Sequence, residues 1–85
     1  MIVTEKKIDN DSWIICEEVN DGNTYLIQNI STDNLLYCVS SEKPSNTIFG
    51  GVVQPYVQLE FKKVSGDLYL KKDTTDVSIH ISKVE

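Results

Sequence analysis

Short runs of alternating apolar and polar residues recur along the chain, with turn residues between them. The clearest runs are TYLIQNI (24–30), LLYCVS (35–40) and VSIHIS (77–82), which are rich in β-branched and aromatic residues. No long window shows the 3.6-residue period of an amphipathic helix. The pattern therefore predicts an all-β chain, with about seven antiparallel strands in a small β-sandwich or jelly-roll-like barrel.

The segment from 12 to 30 is typical of a β-hairpin. The run SWIICEEV (12–19) is rich in strand-forming residues and is followed by a turn that contains Asp21-Gly22. Asp-Gly between two apolar runs is a strong hairpin signal, because both positions of the turn require positive φ. We therefore predict that 12–19 pairs with the strand at 24–30.

The stretch VQLEFKKVSGDLYLKK (57–72) predicts a second hairpin, which turns at Gly66-Asp67. Apolar residues alternate on both sides of this turn. Val64 and Phe61 are three positions apart, so in a regular strand they would point to opposite faces, although both are expected to face the core. One extra residue near Lys62-Lys63 resolves the conflict, so the sequence predicts a β-bulge there.

The outer face of this predicted hairpin is polar and mixed, with Gln58, Glu60, Tyr69 and Lys71. Such a face suits a scaffold or a docking module, because it brings no nucleophile and base together. Tyr56 has the same parity, so Tyr56, Tyr69 and Lys71 are candidate contacts to a protein partner or a glycan. Ordinary cross-strand packing is the alternative for each tyrosine.

The N-terminal residues 1–11 are predicted as an arm or an edge strand, followed by a single β-sandwich domain over 12–85. Alternation in IVTEKKI (2–8) is poor. An arm of this kind becomes ordered on a partner, so Ile2 and Val3 are further candidate contacts. The charges at 5–7 interrupt any apolar region of the kind a secretory signal needs, so we expect synthesis in the cytoplasm.

Composition narrows the class of partner. The 85 residues include eight lysines, no arginine and no alanine, and the net charge is −5. Arginine supplies bidentate contacts to phosphate and guanine, so its absence argues against nucleic acid. The negative charge argues against an anionic membrane surface. A chain this short buries only about 60% of its unfolded surface, so docking or oligomerisation is expected to add stability.

No catalytic or metal-binding signature stands out. His80 lies between Ser78 and Ser82 on a polar strand face, without a converging acid and nucleophile. The clusters of Asp and Asn lack the spacing of a calcium loop, and turn formation explains them. We therefore predict a protein that is not an enzyme and that has no cofactor and no metal site.

Trp13 and both cysteines are assigned to the core. One large aromatic supplies much of the volume of a small core, which explains Trp13. Cys16 and Cys38 match no metal or redox spacing, so two buried thiols in neighbouring strands are expected, with a disulfide as the alternative outside a cell. Ile48-Phe49 is expected to fill one end of the barrel.

Six short sequence segments follow one another after Gly22. They are TYLIQN (24–29), LLYCVSSEKP (35–44), FGGVVQP (49–55), VQLEFKKVSGD (57–67), LYLKK (68–72) and VSIHISKVE (77–85). Their order resembles that of small β-rich accessory proteins of tailed-phage virions, namely capsid decoration, head-fibre and tail-attachment proteins. The chain departs from this pattern at Tyr56, because such sequences often have glycine directly after the proline.

This resemblance implies a non-enzymatic structural protein that docks on the capsid or tail of a tailed bacteriophage. Its partners are expected to be other virion proteins and further copies of itself in a homo-oligomer. It is expected to be made in the cytoplasm of the bacterial host and to reside in the virion. A carbohydrate-binding module that uses exposed tyrosines is the alternative that the residues leave open.

Overall fold

A computed structural model describes residues 2–48 and 50–84 as two antiparallel sheets. Phe49, which was predicted with Ile48 to fill one end of the barrel, lies outside the described residues, and Ile48 is 47% exposed. Sheet A has the strand order β1-β8-β3-β6, and sheet B has the order β2-β7-β4-β5. The described residues contain no helix long and apolar enough to cross a bilayer. In chain order the elements are β1 (Val3–Ile8), β2 (Ile14–Ile15), a 3-10 helix (Glu17–Val19), β3 (Thr24–Asn29), β4 (Leu35–Ser40), β5 (Gly51–Val53), β6 (Gln58–Lys62), β7 (Asp67–Lys72) and β8 (Val77–Lys83).

The connections between strands give the fold its topology. Within the described residues, only the connection from β4 to β5 joins strands that pair in one sheet. Every other connection carries the chain from one sheet to the other. Two four-stranded sheets joined in this way form a jelly roll. The predicted all-β sandwich is confirmed, with β1 as an additional strand at the edge of sheet A.

Apolar side chains that face the space between the sheets form the main core. Their alternation is clearest in β8, where Val77, Ile79 and Ile81 are buried and the residues between them are half-buried. This is the two-residue period of a strand with one buried face. The buried members of this core are Ile8, Cys16, Val19, Tyr25, Ile27, Leu35, Val53, Phe61, Leu68, Leu70, Val77, Ile79 and Ile81.

The hairpin predicted at the Asp-Gly turn is wrong. Only Ile14–Ile15 of the run 12–19 is a strand, and it pairs with β7, whereas β3 pairs with β6 and β8. The turn itself forms, and Gly22 has a φ of 89°. Val19 of the 3-10 helix is buried in the main core. The chain therefore crosses between the sheets here and does not fold back on β2.

The second predicted hairpin and its bulge are also wrong. β6 pairs with β3 without interruption as far as Lys62, and β7 belongs to the other sheet. The parity changes because the chain crosses between sheets over 63–66. Val64, expected on the inner face, is 85% exposed. Lys63 forms an ion pair with Asp67 at 2.8 Å.

Both cysteines are free thiols, and they do not lie in neighbouring strands. Cys16 is buried beside β7, where its amide donates to the carbonyl of Leu68 at 2.8 Å. Cys38 is half-buried in β4, on the other side of β7. Burial, and then the nearby Glu18 carboxylate, raises the pKa of the Cys16 thiol to about 12, so this thiol remains protonated at neutral pH.

Candidate functional site

Tyr69 and Lys71 do not lie on an exposed polar face. They point away from the main core, but Tyr69 is only 7% exposed because it packs with Trp13 and Leu36. The Lys71 ammonium lies 4.9 Å from the centroid of the Trp13 ring and donates to the carbonyl of Asn46 at 3.3 Å. We call Trp13, Leu36 and Tyr69 the outer cluster. Trp13 therefore belongs to this cluster and not to the main core.

The four side chains predicted on one polar face lie on opposite sides of the sandwich. Gln58 and Glu60 are exposed on sheet A, where β6 pairs with β3. Tyr69 and Lys71 belong to sheet B, where β7 pairs with β4. Equal parity indicates a shared face only within one sheet, and β6 and β7 are in different sheets.

The outer face of sheet A is polar and carries the single histidine. His80 lies between Ser78 and Ser82 on β8 and opposite Glu5 on β1, with 3.2 Å between its Nε2 and the Glu5 carboxylate. Neither of these serine hydroxyls is hydrogen-bonded to the imidazole. Among residues 2–48 and 50–84, no three His, Cys, Asp or Glu side chains are grouped as metal ligands.

Tyr56 lies at the tip of a tight turn between β5 and β6. The Val57 amide donates to the carbonyl of Gln54 at 3.1 Å, which closes a four-residue turn with Pro55 second and Tyr56 third. Tyr56 has a φ of 64°, and positive φ at the third position is the mark of a type II turn, which favours glycine. Its side chain is 63% exposed. An aromatic ring therefore faces solvent at a position that suits glycine.

Tyr56→Gly is expected to raise the free energy of unfolding by up to about 1 kcal/mol. Glycine has no Cβ to oppose the left-handed conformation, and its greater freedom in the unfolded chain offsets part of this gain. Urea unfolding measures the effect. Tyr56→Ala is the control, because it removes the ring but keeps the Cβ. Equal free energies of unfolding for the two variants would contradict the turn strain.

A cleft lies between β1 and β2, at one side of the sandwich. Ile14 is 46% exposed at this cleft, and Ile2 and Val3 are 85% and 51% exposed at the start of β1. We call β1, together with Ile2 and Ile14, the β1 edge. The cavity in the cleft has a volume of about 210 Å³, and its lining includes Lys6, Lys7, Ile8, Ile14, Ile15 and Leu70.

An ion pair beside this cleft joins β1 to the 3-10 helix. The Lys6 ammonium is 3.0 Å from one oxygen of the Glu18 carboxylate and 3.1 Å from the other. Burial acts to raise the pKa of the Glu18 carboxyl. Hydrogen bonds from the Lys6 ammonium, a backbone amide and the Cys16 thiol, together with the charge of Lys6, outweigh burial and lower the pKa below its usual value.

Lys6→Met is expected to remove less than about 1 kcal/mol of stability at pH 7, because the pair is about one-third exposed and screened by solvent. A carboxyl with a lowered folded pKa stabilises the fold above its unfolded pKa, and this contribution is lost as the pH falls through the folded value. The variant should therefore lose less stability than the wild type on acidification below pH 4.5. Urea unfolding from pH 7 to 3 measures this, with Lys43→Met in an exposed loop as the control. Identical pH profiles for Lys6→Met and the wild type would exclude the ion pair as a source of stability.

The predicted contacts do not form one site. Tyr56 lies at the Asn29 end of β3, whereas Ile2 and Val3 lie at the opposite end of sheet A. The exposed Ile14 was not predicted from the sequence, because the run 12–19 was predicted as a strand that pairs with 24–30. Comparison of the chain with protein-family models, curated proteins and solved structures finds no match.

Proposed function

We propose that this chain is a non-enzymatic accessory protein of a tailed-phage virion, which docks on the capsid or tail and associates with itself. The proposal rests on the large apolar side chains that are exposed at an edge and at a turn of this small jelly roll. Ile2, Val3, Ile14, Tyr56 and Val57 are all at least 45% exposed. Burying such side chains against a partner adds stability that a small domain lacks.

Two further observations support a protein partner. The net charge of −5 and the absence of arginine disfavour nucleic acid. Jelly rolls occur among viral capsid domains, and the sequence from Gly22 onward resembles virion accessory proteins. A fold hosts many functions, so this support is by analogy, and the exposed apolar side chains carry the proposal.

Particles purified from the phage or prophage that encodes the chain provide the test. We expect the chain in gradient-purified particles at a fixed ratio to the major capsid protein, measured by quantitative mass spectrometry. It should remain bound after a wash in about 1 M salt, which screens weak surface ion pairs. A chain found only in the soluble fraction would contradict the proposal.

Tyr56 supports a carbohydrate-binding module as a second candidate. The exposed ring offers an apolar face with a polar hydroxyl, which suits stacking on a sugar. Tyr69 adds nothing to such a site because it is buried in the outer cluster. A glycan array probed with the wild type and with Tyr56→Ala tests this candidate. Binding that is lost in Tyr56→Ala supports it, whereas no binding, or binding unchanged by the substitution, contradicts it.

A further inference from the structure

We propose that this protein pairs with a second copy of itself through β1, in an antiparallel arrangement with two-fold symmetry. The inference rests on the proposed function, because it specifies the self-association included there. The two copies join their A sheets into one continuous sheet. The interface takes in the β1 edge of each copy.

β1 is the longest edge strand of the sandwich. It has six residues, whereas the other edge strands β2, β5 and β6 have two, three and five. One side of β1 pairs with β8, and no described strand pairs with its other side. Backbone N–H and C=O groups on that side are available to another strand. A second copy of β1 satisfies them with a strand of equal length.

Charge selects one register for this pairing. Residues that face each other on antiparallel strands lie on the same face of the sheet. In β1 the outer face carries Val3, Glu5 and Lys7, which face Ser82, His80 and Ser78 of β8. When Glu5 of one copy faces Lys7 of the other, two-fold symmetry produces this ion pair twice. Lys6 of one copy then faces Lys6 of the other across the symmetry axis. Opposite charges that face each other stabilise paired strands.

Neighbouring registers are unfavourable. The smallest shift of one β1 strand along the other that keeps outer-face residues opposite each other is two residues. In one direction this shift places Glu5 opposite Glu5 of the second copy, and in the other direction it places Lys7 opposite Lys7. Like charges directly opposite destabilise the pairing. The register with Lys6 on the axis is therefore favoured over both alternatives.

Lys6 is compatible with a position on the axis because its charge is already paired. Its parity directs it inward, and its ammonium is 3.0 Å from the Glu18 carboxylate of the same chain. An inward lysine without a partner would block edge-to-edge pairing. Here the two copies bring together two neutral Lys6–Glu18 pairs. Ile14 lines a second cavity beside this ion pair, so its exposed side chain lies near the axis and gains burial.

The other edge of sheet A is less suited to such pairing. In β6, overlap over the whole strand places Glu60 opposite Glu60 of the second copy. The register that pairs Glu60 with Lys62 overlaps only the last residues of β6. β6 therefore provides matched control positions with the same residue types.

Charge reversal tests the pairing. Wild type, Glu5→Lys and Lys7→Glu are compared by analytical ultracentrifugation, with dissociation constants measured for each. Each reversal creates two like-charge pairs, so we expect dimer dissociation constants to rise by at least about tenfold. A one-to-one mixture of the two variants should restore a dimer, because every facing pair at positions 5 and 7 then joins a lysine of one variant to a glutamate of the other. Both native side chains are more than 60% exposed, so the variants retain the core.

Glu60→Lys is the matched control and should leave the dissociation constant unchanged. Thermal unfolding of each variant verifies that it is folded. A wild type that is monomeric at about 100 µM overturns the proposal. So does a dimer that Glu5→Lys and Glu60→Lys weaken equally. A monomer that is found in purified particles contradicts the pairing but supports docking on the virion. A β1-dependent dimer that is absent from particles supports the pairing but contradicts the virion role.

Discussion

Asn29→Asp is expected to lower the free energy of unfolding by at least about 3 kcal/mol at pH 7. Asn29 has no exposed surface. Its side-chain nitrogen donates to the carbonyls of Asp33 at 2.7 Å and Val53 at 3.0 Å, and its oxygen accepts from the Ser31 amide at 2.9 Å. A carboxylate in this position faces two carbonyl oxygens without a proton to donate.

The effect is large because Asn29 joins three parts of the sandwich. It belongs to β3 of sheet A, and its hydrogen bonds reach β5 of sheet B and the turn after β3. Its loss leaves several buried backbone groups without partners, each with a desolvation penalty of about 1–3 kcal/mol. The two sheets then lose a polar connection between them.

The pH dependence of this variant provides a second check. Burial raises the folded pKa of a new carboxyl, so the destabilisation is complete above that pKa and decreases as the pH falls through it. Asn29→Ala leaves the same groups unsatisfied without adding a charge, so its effect should not depend on pH in this way. Urea unfolding at pH 7 and pH 5 measures both variants.

Asn34→Asp, in the turn after β3, is the matched control for Asn29→Asp. Asn34 is half-buried, and the change should alter stability by less than about 0.5 kcal/mol. A loss below about 1 kcal/mol for Asn29→Asp at pH 7, or a loss equal to that of Asn34→Asp, would contradict the described network.

Trp13→Ala is expected to lower the free energy of unfolding by about 3–5 kcal/mol. Trp13 has no exposed surface and packs with Leu36 and Tyr69 in the outer cluster, with Lys71 over its ring. The substitution removes most of the apolar area of this cluster and uncovers Tyr69. Circular dichroism during denaturation measures the loss, since Trp13 is the single tryptophan of the chain.

Trp13→Phe separates ring packing from polar contacts. The indole nitrogen of Trp13 is buried without an acceptor among the described residues, so removal of its N–H breaks no hydrogen bond. We therefore expect this variant to lose only about 1–2 kcal/mol, from the smaller ring. Equal losses for Trp13→Phe and Trp13→Ala would indicate that the ring does not pack as described.

Individual strands could be predicted well from local pattern. The strand at Leu35–Ser40 has the predicted bounds, and those at 24–30 and 77–82 differ by one residue at an end. Alternation indicates which side chains face a core, because successive residues of a strand point to opposite faces. The all-β class followed from these strands without information on their partners.

The pairing of strands could not be predicted in the same way. Asp21-Gly22 and Gly66-Asp67 both have the composition of hairpin turns. Yet Asp21-Gly22 lies within a connection that crosses between the sheets, and Gly66-Asp67 lies where another such connection ends and β7 begins. In a sandwich the inner faces of both sheets contact one core, so a crossing and a hairpin can show the same apolar alternation. The predicted bulge at Lys62-Lys63 arose from this ambiguity.

The candidate contacts differ in the same way, according to whether their exposure depends on neighbours along the chain or on distant residues. Exposure of Ile2, Val3 and Tyr56 agrees with the sequence, whereas Tyr69 is covered by Trp13 from a distant part of the chain. By itself, the sequence determined the all-β class, the main strands and the residues of their inner faces, because these depend on neighbours along the chain. Only the tertiary structure decided the sheet to which each strand belongs, the outer cluster and the free edge of β1, because these depend on contacts between residues far apart in sequence.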